Sequence, residues 1–475
     1  MAYEIKGSIM KAHKHRVIVI GGGLSGLTAA FQLEKDLPEA SVTVLEANSY
    51  PGGRMLTTEF GGEGGGEAIG FYYTTLHALA SEVGIKLTSA PMSILNKAFN
   101  IAYYFKNQNE WVKQKDWAEW QNNPLPIDIQ KITPMMLLRY YIAKIPKPSS
   151  FEHVFTDPFF TELSQKSLEA FLKEQDVPAE ALSIIKTNSE VDDITKVSAF
   201  NIAMKTWITE SVVFSNYYFV HGGQQNLPKA IAANLKDIHY NTKVTSVKKM
   251  GDQYEVQAEN GEIFICDSVV FTVPAGPMRS IQMDPPLTGL QKEAFEKIQY
   301  TPSVKTFFRV TSPFWEKDGL PLFMWTDTDI NMVVPVYNKD TRETPLSGPD
   351  VWGIYAFSSG QTVERLYQAE QKDRISLADH TKSILEKIRP STQGCLEFVE
   401  TVDWGRMETA QGAFHYYLPS AKIPSYYEAI NQPSLGRYFA GEHTELKSRG
   451  FDAAVYAGIR VAKEICQDVI LKHKQ

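Results

Sequence analysis

Three glycines, Gly21, Gly23 and Gly26, stand in the spacing G-x-G-x-x-G, and Glu46 follows 20 positions after the last of them. Residue types in this pattern can hold a dinucleotide: one glycine for a tight turn, one for close backbone approach to a pyrophosphate, one for packing of helix on strand. Ser25 lies inside the same phosphate-facing turn. Glu46, followed by Ala47, is placed to accept hydrogen bonds from a ribose diol and to repel a 2′-phosphate. That disfavours NADP and leaves NAD and FAD both open.

Other residues could add chemistry. Arg54, after Gly52 and Gly53, is suited to clamp a pyrophosphate with two parallel N–H bonds. Glu442 follows an apolar run and Gly441, where a carboxylate needs partners that sugar-like hydroxyls would supply. Lys305 interrupts a mostly apolar stretch, and strand alternation alone leaves an inward and a surface lysine equally open. Trp404 and Phe414 lie in one aromatic segment, DWGRMETAQGAFHYYLP.

The elements that must position these residues follow from periodicity. Residues 17–20 read as an apolar strand, and Leu24, Leu27 and Phe31 give the next helix an apolar face. Pro38 closes that unit, and residues 42–45 form the second strand. A glycine-rich run, residues 60–70, reads either as a flexible linker or as backbone passing close to a ligand. Residues 97–215 are rich in aromatics and carry helical patterns such as 164–174. Residues 220–235 repeat the glycine turn and helix. Strands are expected at 244–247, 254–258, 263–266, 268–273 and 437–441, with a type I′ turn at Asn260-Gly261 and helices at 375–388 and 453–470. The first layer is therefore assembled from the start, middle and end of the chain.

Composition narrows the function classes. The 475 residues are 43% hydrophobic and 22% charged, an ordinary globular profile with room for two or three domains. A net charge of −7 argues against a nucleic-acid partner. Cys266, Cys395 and Cys466 form no C-x-x-C pair and suggest neither disulfide framework nor metal site. The first 16 residues lack a secretory pattern, no apolar run reaches 18 residues, and residues 453–471 lead into no hydrophobic tail, so a cytoplasmic location is expected.

Four segments together resemble the flavin-containing amine oxidase superfamily, which includes monoamine, polyamine and L-amino acid oxidases. The first is the opening unit extended through Gly52-Gly53-Arg54 with Thr57, similar to the family's G-G-R-x-x-T. The second is the turn His221-Gly222-Gly223-Gln224-Gln225-Asn226-Leu227 followed by Val244, and the third is the stretch YTPSVKTFFRVTSPFW around Lys305. The fourth is YFAGEHT, which contains Gly441 and Glu442. The resemblance implies FAD. It places Arg54 on the pyrophosphate, the Val244 backbone at the adenine and Glu442 on the ribityl chain, with Gly66, Glu67 and Ala68 beside the cofactor. Lys305 would bind a water at the flavin N5 and assist reoxidation. Trp404, Phe414 and Phe451 would form the substrate end, the two phenylalanines flanking an amine. Ala413 stands where covalently flavinylated members carry cysteine, so the FAD should be non-covalent. The final helix would aim its N-terminus at the flavin.

The resemblance implies an α/β protein: a Rossmann-like FAD-binding domain (residues 14–90, 218–285 and 405–475) interleaved with an α+β substrate domain (91–217 and 286–404), of which 115–215 is a largely helical subdomain. The implied reaction converts an amine to an imine, then aldehyde and ammonia, with O2 reduced to H2O2. The expected partners are a small amine and O2, with a homodimer left open. An L-amino acid oxidase using Arg449 for the carboxylate, and a C–C bond oxidase or desaturase like protoporphyrinogen oxidase, are the alternatives. Glu67 would suit a cationic or hydroxylated substrate or stand as a solvated loop acid.

Overall fold

The computed structural model describes residues 14–90, 100–150, 153–188, 193–210, 217–341, 348 and 350–472. The leader-free reading of the N-terminus therefore falls largely on residues outside those described, as do residues 211–215 of the helical stretch. Among the described residues, no helix is long and apolar enough to cross a membrane.

Arg16–Ile20 is apolar on both faces beyond its first residue, and such a strand is stable only with cover on both sides. It lies at the centre of a five-stranded parallel sheet in the order Arg437–Phe439, Ser268–Phe271, Arg16–Ile20, Ser41–Leu45, Ile238–His239. The opening helix Leu24–Asp36 and the last helix Gly450–Lys472 pack against each other, and Ala29, Ala30, Ala457 and Ala462 are fully buried in the core between helix and sheet. Small side chains let the two helices approach so closely that a Cβ on Gly458 would crowd the Ser25 carbonyl.

The second large layer is a seven-stranded mixed sheet, Leu396–Asp403, Ser303–Val310, Val351–Ser359, Met332–Tyr337, Phe323–Thr326, Ile101–Phe105 and Glu110–Lys113. Short helices from Leu137–Ile142 to Ala199–Glu210 cover the cavity between the layers. The glycine-rich run 60–70 is not a linker. It threads between the layers, where a Cβ on Gly62 would overlap the buried Phe307 ring and one on Gly65 would overlap the Arg54 carbonyl.

Two local expectations are corrected. The pattern over 164–174 is not one helix: Pro158–Ser164 stops, and Ser167 starts Leu168–Glu174 by accepting from the Ala170 N–H. A serine that caps a new helix outcompetes continuation of the old one. The hairpin between Gln253–Ala258 and Ile263–Cys266 is not type I′, because only Gly261 of the pair takes a positive φ, 88°. Its N–H bonds the Ala258 carbonyl, and Ala258 also pairs with Glu262, leaving a three-residue loop with glycine in the left-handed position.

Candidate active site

One cavity of about 880 Å³ runs from the ends of the parallel strands to the helical cover. Gly21, Gly23, Ser25, Glu46, Ala47, Gly53, Arg54, Gly66, Glu67, Ala68, Val244, Lys305, Trp404, Phe414, Gly441, Glu442 and Phe451 all line it. Segments more than four hundred residues apart in sequence therefore meet at one surface. Gly26 is the exception among the predicted residues. It faces the turn behind the cavity, where a Cβ would overlap the Gly21 carbonyl, so its contribution is helix–strand packing.

At one end the opening helix begins at Leu24 with no side-chain cap and no acid in its first turn. Its free N–H groups and dipole suit an anion. A Cβ on Gly23 would meet nothing within 4 Å, so the backbone is open to close approach. Ser25 Oγ is buried without a hydrogen-bond partner. A buried orphan hydroxyl at a bare helix N-terminus fits a phosphate group. Glu46 is 4% exposed; it accepts from the Gly22 N–H at 2.5 Å and from the Asn48 N–H and side-chain amide at 2.7 Å each. Burial raises its pKa, opposed by those bonds. These residues fit the adenosine diphosphate half of FAD.

Further along, Arg54 donates to the Ala413 carbonyl at 2.6 Å and to Glu442 Oε1 at 3.2 Å. His415 bonds Glu442 Oε2 at 2.9 Å through Nδ1. Burial alone would raise the Glu442 carboxyl, but the His415 ring and the Arg54 guanidinium hold it well below the usual carboxylate range. Burial in turn holds His415 below the usual histidine value and pushes His443 down to about 3. The charge in this cluster therefore belongs to Arg54 and Glu442, and His415 is neutral.

Lys305 takes the inward of the two registers left open by strand alternation. It points inward and is 6% exposed. Its ammonium donates to the Glu63 carbonyl at 2.8 Å, the Gly65 carbonyl at 3.0 Å and Glu67 Oε1 at 2.9 Å. An ammonium has three protons, and all three are taken. A water could be held by Nζ only if one of these bonds were released. Glu67 is not a solvated loop acid: Tyr355 Oη donates to the same oxygen, Oε1, as Lys305. The indole N–H of Trp404 donates to the Gly64 carbonyl at 2.8 Å. Lys305 and Trp404 thus clamp consecutive carbonyls of the glycine run, and Gly66 presents its bare Cα to the Phe451 ring.

Sequence reasoning missed Tyr355, His415, Tyr427 and Asn201. His415 carried a usable signal, being adjacent to Phe414 on the short strand Phe414–Tyr416. Tyr355 and Asn201 carried none, because strand and helix periodicity assign both to packing.

The chain matches the family of flavin-containing amine oxidoreductases over residues 24–466. It is 23% identical over 474 residues to the flavin-containing amine oxidase of Danio rerio, covering 96% of this chain and 86% of the relative. It is 22% identical to the L-amino-acid oxidase of Vipera ammodytes ammodytes, covering 95% and 92%. Among solved structures, wild-type putrescine oxidase bound to putrescine superposes with a TM-score of 0.73 at 21% identity over 95% of this chain and 99% of the other. Cyclohexylamine oxidase from Brevibacterium oxydans IH-35A gives 0.75 at 18% identity over 96% and 99%.

Proposed function

The chain belongs to the family of flavin-containing amine oxidoreductases, and we propose that it is an FAD-dependent oxidase that converts a small amine to an imine, which water hydrolyses to aldehyde and ammonia. The observation that carries this reading is the single continuous cavity joining the glycine turn and Glu46 at one end to Phe414 and Phe451 at the other. When bound, FAD would supply the two-electron acceptor for the amine-bearing carbon, with O2 as the terminal oxidant that leaves as peroxide.

The residues of the chain supply orientation and exclusion of water. Ser25 and the bare helix N-terminus hold phosphate, Arg54 adds a cation, and Glu46 and Glu442 accept from hydroxyls. Phe414 and Phe451 offer ring faces that attract an approaching ammonium and accept its neutral form. Lys305 and Trp404 hold the glycine run rigid beneath the substrate end. Of the lining carboxylates, Glu67 is paired with Lys305, and Glu442 with Arg54 and His415, and the site is assigned no dedicated side-chain base. Alanine at position 413 offers no thiol, which supports non-covalent FAD. The three free cysteines fit a cytoplasmic enzyme.

Arg449 also lines the cavity, beside Gly450 and Phe451, and this favours the L-amino acid oxidase as second reading. A peroxide assay against monoamines, diamines and L-amino acids separates the two. Peroxide from amines is expected, and turnover confined to amino acids would transfer the assignment to the second reading. Acid precipitation is expected to release free FAD; yellow colour retained on the chain would refute non-covalent attachment.

A further inference from the structure

Behind Phe414 lies a buried chain of polar groups whose direction the structure defines from both ends. At its far end the Tyr417 backbone N–H donates to Asn201 Oδ1 at 3.2 Å, which turns the amide so that Nδ2 donates to Tyr427 Oη at 3.0 Å. Tyr427, having accepted that bond, has its own hydroxyl proton for His415 Nε2 at 3.2 Å. Nε2 then accepts, which puts the imidazole proton on Nδ1, facing Glu442 Oε2 at 2.9 Å. The near end gives the same answer. An ionised carboxylate only accepts, so the nitrogen beside it must carry the proton. His415 is 5% exposed and Tyr427 6%, so water does not compete for these bonds.

Glu442 is consequently held at both oxygens, Oε1 by Arg54 and Oε2 by His415. We propose that His415 is a positioning residue for cofactor binding: its Nδ1–H, set by the Asn201–Tyr427 chain, fixes the Glu442 carboxylate so that its remaining lone pairs meet the hydroxyl-bearing chain of the flavin. The proposal rests on the reading that FAD occupies this cavity. Burial, which disfavours the imidazolium, keeps the arrangement to one tautomer. Arg54 alone would leave the carboxylate free to rotate about the Oε1 contact.

Two isosteric substitutions separate positioning from packing. In His415→Asn the side-chain amide nitrogen replaces Nδ1 and keeps the donor to Glu442. In His415→Gln the amide reaches the Nε2 position, contacts Tyr427 and leaves Oε2 unpaired. Equilibrium FAD affinity, read from flavin fluorescence on reconstitution of the apoprotein, should weaken by about tenfold or more in His415→Gln and remain near wild type in His415→Asn, as expected for loss of one bond to a charged group. Equal loss in both variants, or loss in neither, would overturn the proposal. A second measurement needs no variant. Nitrogen-15 NMR of histidine-labelled holoprotein should show His415 as the Nδ1-protonated neutral tautomer, and the Nε2 tautomer or an imidazolium would overturn it. A wild-type protein that takes up no FAD would defeat the proposed function, whereas FAD uptake with the wrong tautomer defeats only this inference.

Discussion

Lys305 Nζ and Glu67 Oε1 lie 2.9 Å apart, and this pair ties the second strand of the seven-stranded sheet to the glycine run that crosses the cavity. Lys305 sits on Ser303–Val310, bonded on both sides to neighbouring strands, so the anchor itself cannot shift. Its ammonium also lies 4.6 Å from the Tyr355 ring centre.

Lys305→Met should therefore act on stability as well as on turnover. The methionine fills the volume but leaves two carbonyls without their donor and Glu67 Oε1 with its Tyr355 bond alone, a loss of about 2–4 kcal/mol. Thermal denaturation of the apoprotein should show a clear fall in Tm. An apoprotein Tm equal to wild type would refute the clamp as a source of stability.

Gly23 and Gly26 should respond differently to alanine. A Cβ at Gly26 overlaps the Gly21 backbone, which cannot move without disturbing the central strand, so Gly26→Ala should cost about 3 kcal/mol or more. A Cβ at Gly23 meets only open cavity, so Gly23→Ala should keep the apoprotein within about 1 kcal/mol of wild type while weakening FAD binding. Paired chemical denaturation and flavin titration check both. Equal stability of the two variants would contradict the geometry.

Acid should destabilise the fold earlier than carboxylate titration alone requires. His443 is held at about 3, below the 6.5 of a free histidine, because burial disfavours its charged form. Between those values the unfolded chain binds more protons, so stability is full above about 6.5 and is lost as pH falls toward 3. His415, also depressed by burial, adds in the same direction. His443→Leu should give a flatter dependence of Tm on pH between about 5 and 6.5, a range above ordinary carboxylate titration. An unchanged slope would remove His443 as a source of acid sensitivity.

The parallel layer was legible because its residues obey simple rules. Val17–Ile20 are apolar at every position, Gly21 and Gly26 leave no room for a Cβ at their turn, and Glu46 follows the second strand at the expected distance. The partners of each site residue were not legible. Lys305 was ambiguous because strand alternation gives two faces, and only its pairing with Val351–Ser359 and Leu396–Asp403 decides which is buried. Its three acceptors are two backbone carbonyls and a glutamate more than two hundred residues away, and backbone acceptors carry no residue type to read. The break at residues 165–167 and the loop at Gly261 were lost to local capping and turn geometry that one-residue differences decide.

Because Arg437–Phe439 joins the parallel sheet beside Ser268–Phe271, and Glu442 and Phe451 come after it, the ribosome must finish nearly the whole chain before the cavity has walls. The glycine turn at the front is synthesised first and is completed last. A nascent or prematurely terminated chain would thus have no competent site for FAD, and flavin capture would report that synthesis reached the final helix. Cofactor supply would then select molecules that include the final helix through the stabilisation that binding confers on the folded state alone.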